Sequence, residues 1–149
     1  KKDASKEEIE SALKAARLYD FVSSLENGLS TDVGQAGSAL SGGQKQRLAL
    51  ARTILANREM IIFDEATSNI DVESEESIWE SIYELSNEKT ILVISHRLAN
   101  VKEAKKIYVM NKGNLVEEGT HNELMGKAGH YSEMVNKQNE LEEIREVCV

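Results

Sequence analysis

Four consecutive residues, Ser41, Gly42, Gly43 and Gln44, carry groups that can grip a phosphate. The glycines let the backbone approach a ligand closely. The serine hydroxyl can donate to a phosphate oxygen. The helix expected to follow adds free N–H groups and the positive end of its dipole. A Gly-rich turn with a serine N-cap explains "SGG" taken alone just as simply. A second group is the acidic pair Asp64–Glu65, which closes the apolar run "MIIF". A third is His96, at the end of "KTILVISH". Acids at a strand end also serve as helix caps, and a lone strand-end histidine is commonly structural. Each group therefore gains weight only beside the others.

The elements that must position them follow from the apolar spacing. Residues from about Ser5 to Glu26 read as one helix, opened by a Ser5–Glu8 capping box and striped by Ile9, Leu13, Ala16 and Leu18. A glycine-bearing loop leads to a second helix from near Ser41 to about Ala56, with Leu48, Ala51 and Leu55 on one face. "EMIIFDEATS" and "KTILVISH" read as buried parallel strands with their polar groups at the C-terminal ends. Between them, "DVESEESIWESIYELSN" is an amphipathic helix with Ile78, Ile82 and Leu85 inward and Asp71 or Ser74 as its cap. A short helix around Ala99 to Ala104 follows, then "KIYVM" and "NLVEEGT" as a hairpin across "NKG". From Thr120 the chain is helical, with a loose stripe of Met134, Val135, Leu141 and Ile144. This order is a parallel α/β pattern, in which ligands sit beyond the carboxyl ends of the strands. Asp64, Glu65 and His96 all fall there.

Composition narrows the classes. The 149 residues make one domain or part of one, and the net charge of −8 argues against nucleic-acid binding. Cys148 is the single cysteine, which excludes an intrachain disulfide and a Cys-based metal site and fits a reducing compartment. No apolar run approaches the roughly 20 residues that span a bilayer. His121 and His130 lie outside the groups above and read as surface or packing residues.

"ALSGGQKQRLALAR" resembles the signature motif of ATP-binding cassette (ABC) ATPases with its following helix. Three further stretches resemble the family in the right order: "MIIFDE" its Walker B strand, "SNID" its D-loop and "ISHRL" its switch-histidine region. The fold this implies is α/β, a partial P-loop NTPase (ABC ATPase) core with a parallel sheet and the end of the helical subdomain. The division is then 1–57 for the end of the helical subdomain with the signature, 58–126 for the C-terminal part of the catalytic core, and 127–149 for a C-terminal helix and tail.

The resemblance also implies roles. Asp64 would contact Mg2+ through water, which suits an ion that keeps several waters. Glu65, next along a strand whose side chains alternate, would be the general base for the attacking water. His96 would reach the γ-phosphate. Ser41, Gly42, Gly43 and Gln44 would bind ATP in trans, held by the phosphate loop of a second cassette in a head-to-tail dimer. Asp71 would connect the two sites across that dimer, or cap its helix, or both.

No G-x-x-x-x-G-K-[ST] phosphate loop is present: before Gly126–Lys127, His121 occupies the first glycine's place, and Ala128 replaces Ser/Thr. The chain therefore reads as the C-terminal portion of a nucleotide-binding domain, inactive as an ATPase by itself. The strands beside the missing phosphate-loop strand would expose their edges, so self-association or marginal stability is expected of it.

"TDVGQAGSALSGGQ" and "LVEEGTHNELM…GHYSEMVNKQ" resemble the exporter pattern, with Gln35–Ala36 where Glu–Arg is usual and Asn69 where the D-loop usually has a small residue. The expectation is the motor of an ABC exporter, at the cytoplasmic face of the cell membrane, partnered by transmembrane domains. The other readings are an importer's ATPase subunit, a soluble non-transport ABC ATPase and a pure binding module. The cargo is not encoded here.

Overall fold

A computed structural model of the chain describes residues 1–65 and 72–147. It comprises two compact units, Lys1–Ile94 and Ser95–Val149.

In the first unit, α1 (Lys6–Ala15) opens on the expected Ser5–Glu8 capping box. The helix does not run on to Glu26. Arg17 adopts a left-handed backbone (φ 52°), Leu18 N–H reaches back to Leu13 O (2.9 Å), and α2 (Tyr19–Ser24) starts in a new direction. This is a Schellman stop with arginine where glycine is usual, sealed by the buried pair Leu13 and Leu18. Helix α3 (Gly42–Ala56) ends on left-handed Asn57, whose Oδ1 accepts from Lys89 Nζ (2.7 Å).

Strand β1 (Met60–Asp64) pairs in parallel with β2 (Thr90–Ile94), Met60 opposite Thr90 and Asp64 opposite Ile94. Helix α4 (Val72–Leu85) makes the crossover. Ser74 therefore lies inside α4 and is not its cap, and Asp71 falls outside the described residues. One core holds this unit together: Leu13, Ala16 and Leu18, Leu50 and Ala51 of α3, Ile61 and Phe63 of β1, and Ile78, Trp79 and Ile82 of α4. The strands were expected to be buried on both faces. β1 is buried on one face only, and β2 is half-buried on one. Pleating sends Ile61 and Phe63 to the helices and Met60 and Ile62 to the other face, where they stay 53% and 58% exposed.

In the second unit, β3 (Ile107–Asn111) and β4 (Asn114–Gly119) form the expected hairpin, turning at left-handed Lys112 and Gly113. Among the described residues, β3 makes its ladder with β4 rather than continuing the parallel pair. Helices α5 (His121–Gly126) and α6 (His130–Val147) cover it. The core is Leu98, Ile107, Val109, Leu124, Tyr131 and Val135. Of the α6 stripe only Val135 is buried, because the apolar partners lie under the first turns. Met134, Leu141 and Ile144 are exposed.

Candidate active site

The start of α3 is built by its own side chains. Ser41 Oγ accepts the Gln44 N–H (3.2 Å), and Gln44 Oε1 accepts the Ser41 N–H (2.9 Å). Two of the free N–H groups of a helix start are thereby satisfied, leaving those of Gly42 and Gly43 without an intrahelical acceptor. The serine is thus the N-cap and still keeps a hydroxyl proton to donate. The two readings of this stretch are compatible. No acidic residue stands in the first turn of α3. The loop before it is folded tightly: Asp32 Oδ1 accepts the Gly34 N–H (2.8 Å), and Ala39 N–H bonds Val33 O (3.1 Å). Ala36, part of the Gln35–Ala36 departure from the exporter pattern, sits there with φ 53°.

The acids sit where the parallel ladder ends. Asp64 is the last residue of β1 and is exposed. Glu65, also exposed, is the first residue beyond it, with its N–H held by Ile94 O (2.9 Å) and a left-handed backbone (φ 47°). Glutamate is disfavoured there, and such conformations cluster at functional positions. The direction of Glu65 is therefore set by this turn and not by strand alternation.

His96 was expected to end the second strand, but β2 stops at Ile94. His96 lies exposed within a turn made by Ser95, whose Oγ accepts the Arg97 N–H (3.0 Å). The following short 3-10 helix, Leu98–Val101, is fastened by Gln138 of α6, whose Oε1 accepts the Leu98 N–H (2.9 Å). His96 belongs to the second unit, Asp64 and Glu65 to the first.

Two polar side chains escaped the sequence reading. Gln138 is one; its only signal was its place in the stretch "GHYSEMVNKQ". Arg47 is the other: it bonds Arg17 O (3.3 Å) and Ser74 Oγ (3.0 Å), joining α3 to α4. Of the remaining histidines, His121 Nδ1 pairs with buried Tyr131 Oη (2.8 Å), and His130 lies 3.3 Å from Asn111 Nδ2, so both serve packing and surface.

The chain is similar to known proteins over most of its length. The sequence pattern of the family described as "ABC transporter" matches residues 2–68. An uncharacterized ABC transporter ATP-binding protein of Haemophilus influenzae is 53% identical over 98% of this chain. An ATP-dependent lipid A-core flippase of Methylobacillus flagellatus is 44% identical over 92%. The structure of a bacterial Atm1-family ABC exporter with ATP bound superimposes with a TM-score of 0.85 at 38% identity, covering 93% of this chain. The chain spans about a quarter of each: 26%, 24% and 24% of their lengths.

Proposed function

The chain belongs to the ABC transporter family, with the fold of its nucleotide-binding core, and on that premise we propose that it is part of the ATP-hydrolysing motor of an exporter. The observation that carries this reading is the exposed Asp64–Glu65 pair at the carboxyl end of a parallel ladder, where α/β proteins bind ligands.

In this reading Glu65 orients and deprotonates the attacking water. Its main chain is already fixed by Ile94, so little reorganisation is needed at the moment of reaction. Asp64 offers a hard, exposed carboxylate that fits Mg2+ held through water; the ion would neutralise charge on the phosphate oxygens. His96 contacts the γ-phosphate. The Ser41 hydroxyl and the Gly42 and Gly43 N–H groups close over ATP held by a second, head-to-tail cassette. Asp71 links the two sites. Transmembrane domains complete the exporter at the cytoplasmic face of the membrane. The relatives named as an exporter and a flippase support export over import or a soluble role.

Glu65→Gln in the complete protein is the test. Turnover should fall on the order of 10²- to 10⁴-fold, with ATP still bound and a closed dimer accumulating. Undiminished hydrolysis would remove Glu65 from the base role. A complete wild-type protein that does not hydrolyse ATP would overturn the reading itself.

A further inference from the structure

The geometry points to Arg47 as a positioning residue that couples the phosphate-binding start of α3 to the helix that follows the catalytic acids; this rests on the ATPase reading above. Arg47 lies one turn beyond Ser41–Gln44 on the same helix. Its side chain leaves α3 and touches two other elements. Nη1 donates to the carbonyl of left-handed Arg17 (3.3 Å), and Nη2 donates to Ser74 Oγ (3.0 Å). Ser74 is buried in the early part of α4, downstream of Asp64 and Glu65.

Arg17 tightens the same corner from outside. Its own guanidinium pairs with Glu80 (2.8 Å) and Glu84 (3.3 Å), both on α4. The α1–α2 corner, the start of α3 and α4 therefore meet at two arginines.

The chemistry of Arg47 argues against a purely stabilising role. Among the described residues it has no carboxylate partner, both terminal nitrogens rest on neutral oxygens, and its buried Nε lacks a hydrogen bond. A partly buried cation so arranged stabilises a fold less well than an apolar side chain of its volume. What the planar fork supplies is geometry: two acceptors on different elements held at a fixed separation. A lysine, with one flexible point charge, cannot hold both. Movement of Ser41–Gln44 against nucleotide is thereby passed to α4.

The experiment uses the full-length protein with Arg47→Lys, Ser74→Ala and the double variant. For Arg47→Lys, kcat should fall roughly tenfold while KM for ATP stays within about twofold. Ser74→Ala, the milder change, should lower kcat about threefold, and the double variant should be no worse than Arg47→Lys. Rates are expressed per competent site, counted as ATP trapped in a Glu65→Gln background, so that loss of folded protein does not register. Unchanged kcat per competent site in both single variants, or additive losses, would overturn the coupling. If Glu65→Gln abolishes turnover and the Arg47 and Ser74 variants do not reduce it, this inference alone fails. If the wild-type protein has no turnover, the underlying reading fails first.

Discussion

Helices α3 and α5 begin in the same way and differ in one charge. Each opens on a hydroxyl N-cap and a reciprocal bond from the third helical residue: Ser41 with Gln44, Thr120 with Glu123. The hydrogen bonds match closely, 2.9 Å from the Ser41 N–H and 2.8 Å from the Thr120 N–H. The third residue is an amide in α3 and a carboxylate in α5. A helix that only has to start gains from the acid, which complements its dipole. A helix that must receive an anion does better with a neutral group making the same bond. The two starts separate what the fold requires from what the ligand requires.

The largest expected contrast comes from removing each hydroxyl in the complete protein. Ser41→Ala and Thr120→Ala should each cost about 1 kcal/mol of stability, seen as similar shifts in thermal unfolding. Only Ser41→Ala should also lower ATP turnover, roughly tenfold, because in the proposed function only that hydroxyl meets a phosphate. Equal turnover in the two variants would make the α3 start an ordinary cap.

Acid should distinguish the starts next. The Glu123 carboxyl is held below its ordinary 4.5, chiefly by the Thr120 backbone N–H and then by the Thr120 hydroxyl. A depressed folded-state value means that the contribution is complete above 4.5 and is lost as pH falls through the lower value. Amide exchange at Leu124 in α5 should therefore accelerate below that range, relative to Lys45 in α3, whose cap is closed by an amide. Parallel acid profiles at the two amides would contradict this.

The smallest effect is the exchange of one type for the other. Gln44→Glu should raise stability by about 0.3–1 kcal/mol through the helix dipole. The same change should raise the ATP concentration needed for half-maximal turnover by a factor of roughly two to three, as a carboxylate meets an anion at moderate screening. A lower ATP requirement would reverse the interpretation of the neutral amide.

What was legible in the sequence divides along similar lines. The Ser5–Glu8 box, the hairpin, and the inward set Ile78, Ile82 and Leu85 were readable because local spacing dictates them. The break at Arg17 was not: no glycine or proline marks it, and the stop is driven by burial of Leu13 against Leu18. The end of β2 before His96 was hidden for a related reason, since Ser95 bends the chain with its own side chain. At the candidate site, residues could be proposed from the sequence because chemistry restricts the types that serve there. The left-handed backbone of Glu65 and the reach of Arg47 could not, because both depend on distant partners, Ile94, Arg17 and Ser74.

The open face of the parallel pair has a consequence for the chain as a particle in water. Met60, Ile62, Leu92 and Ile94 form an oily facet on a body whose net charge is −8. Such a particle is kept dispersed by like-charge repulsion and drawn together by that facet. Near pH 5.0, where the charge vanishes, or in strong salt, where it is screened, the repulsion goes and the facet remains. The chain should therefore behave as a charge-stabilised colloid, clearest at neutral pH and low salt and cloudiest near its isoelectric point.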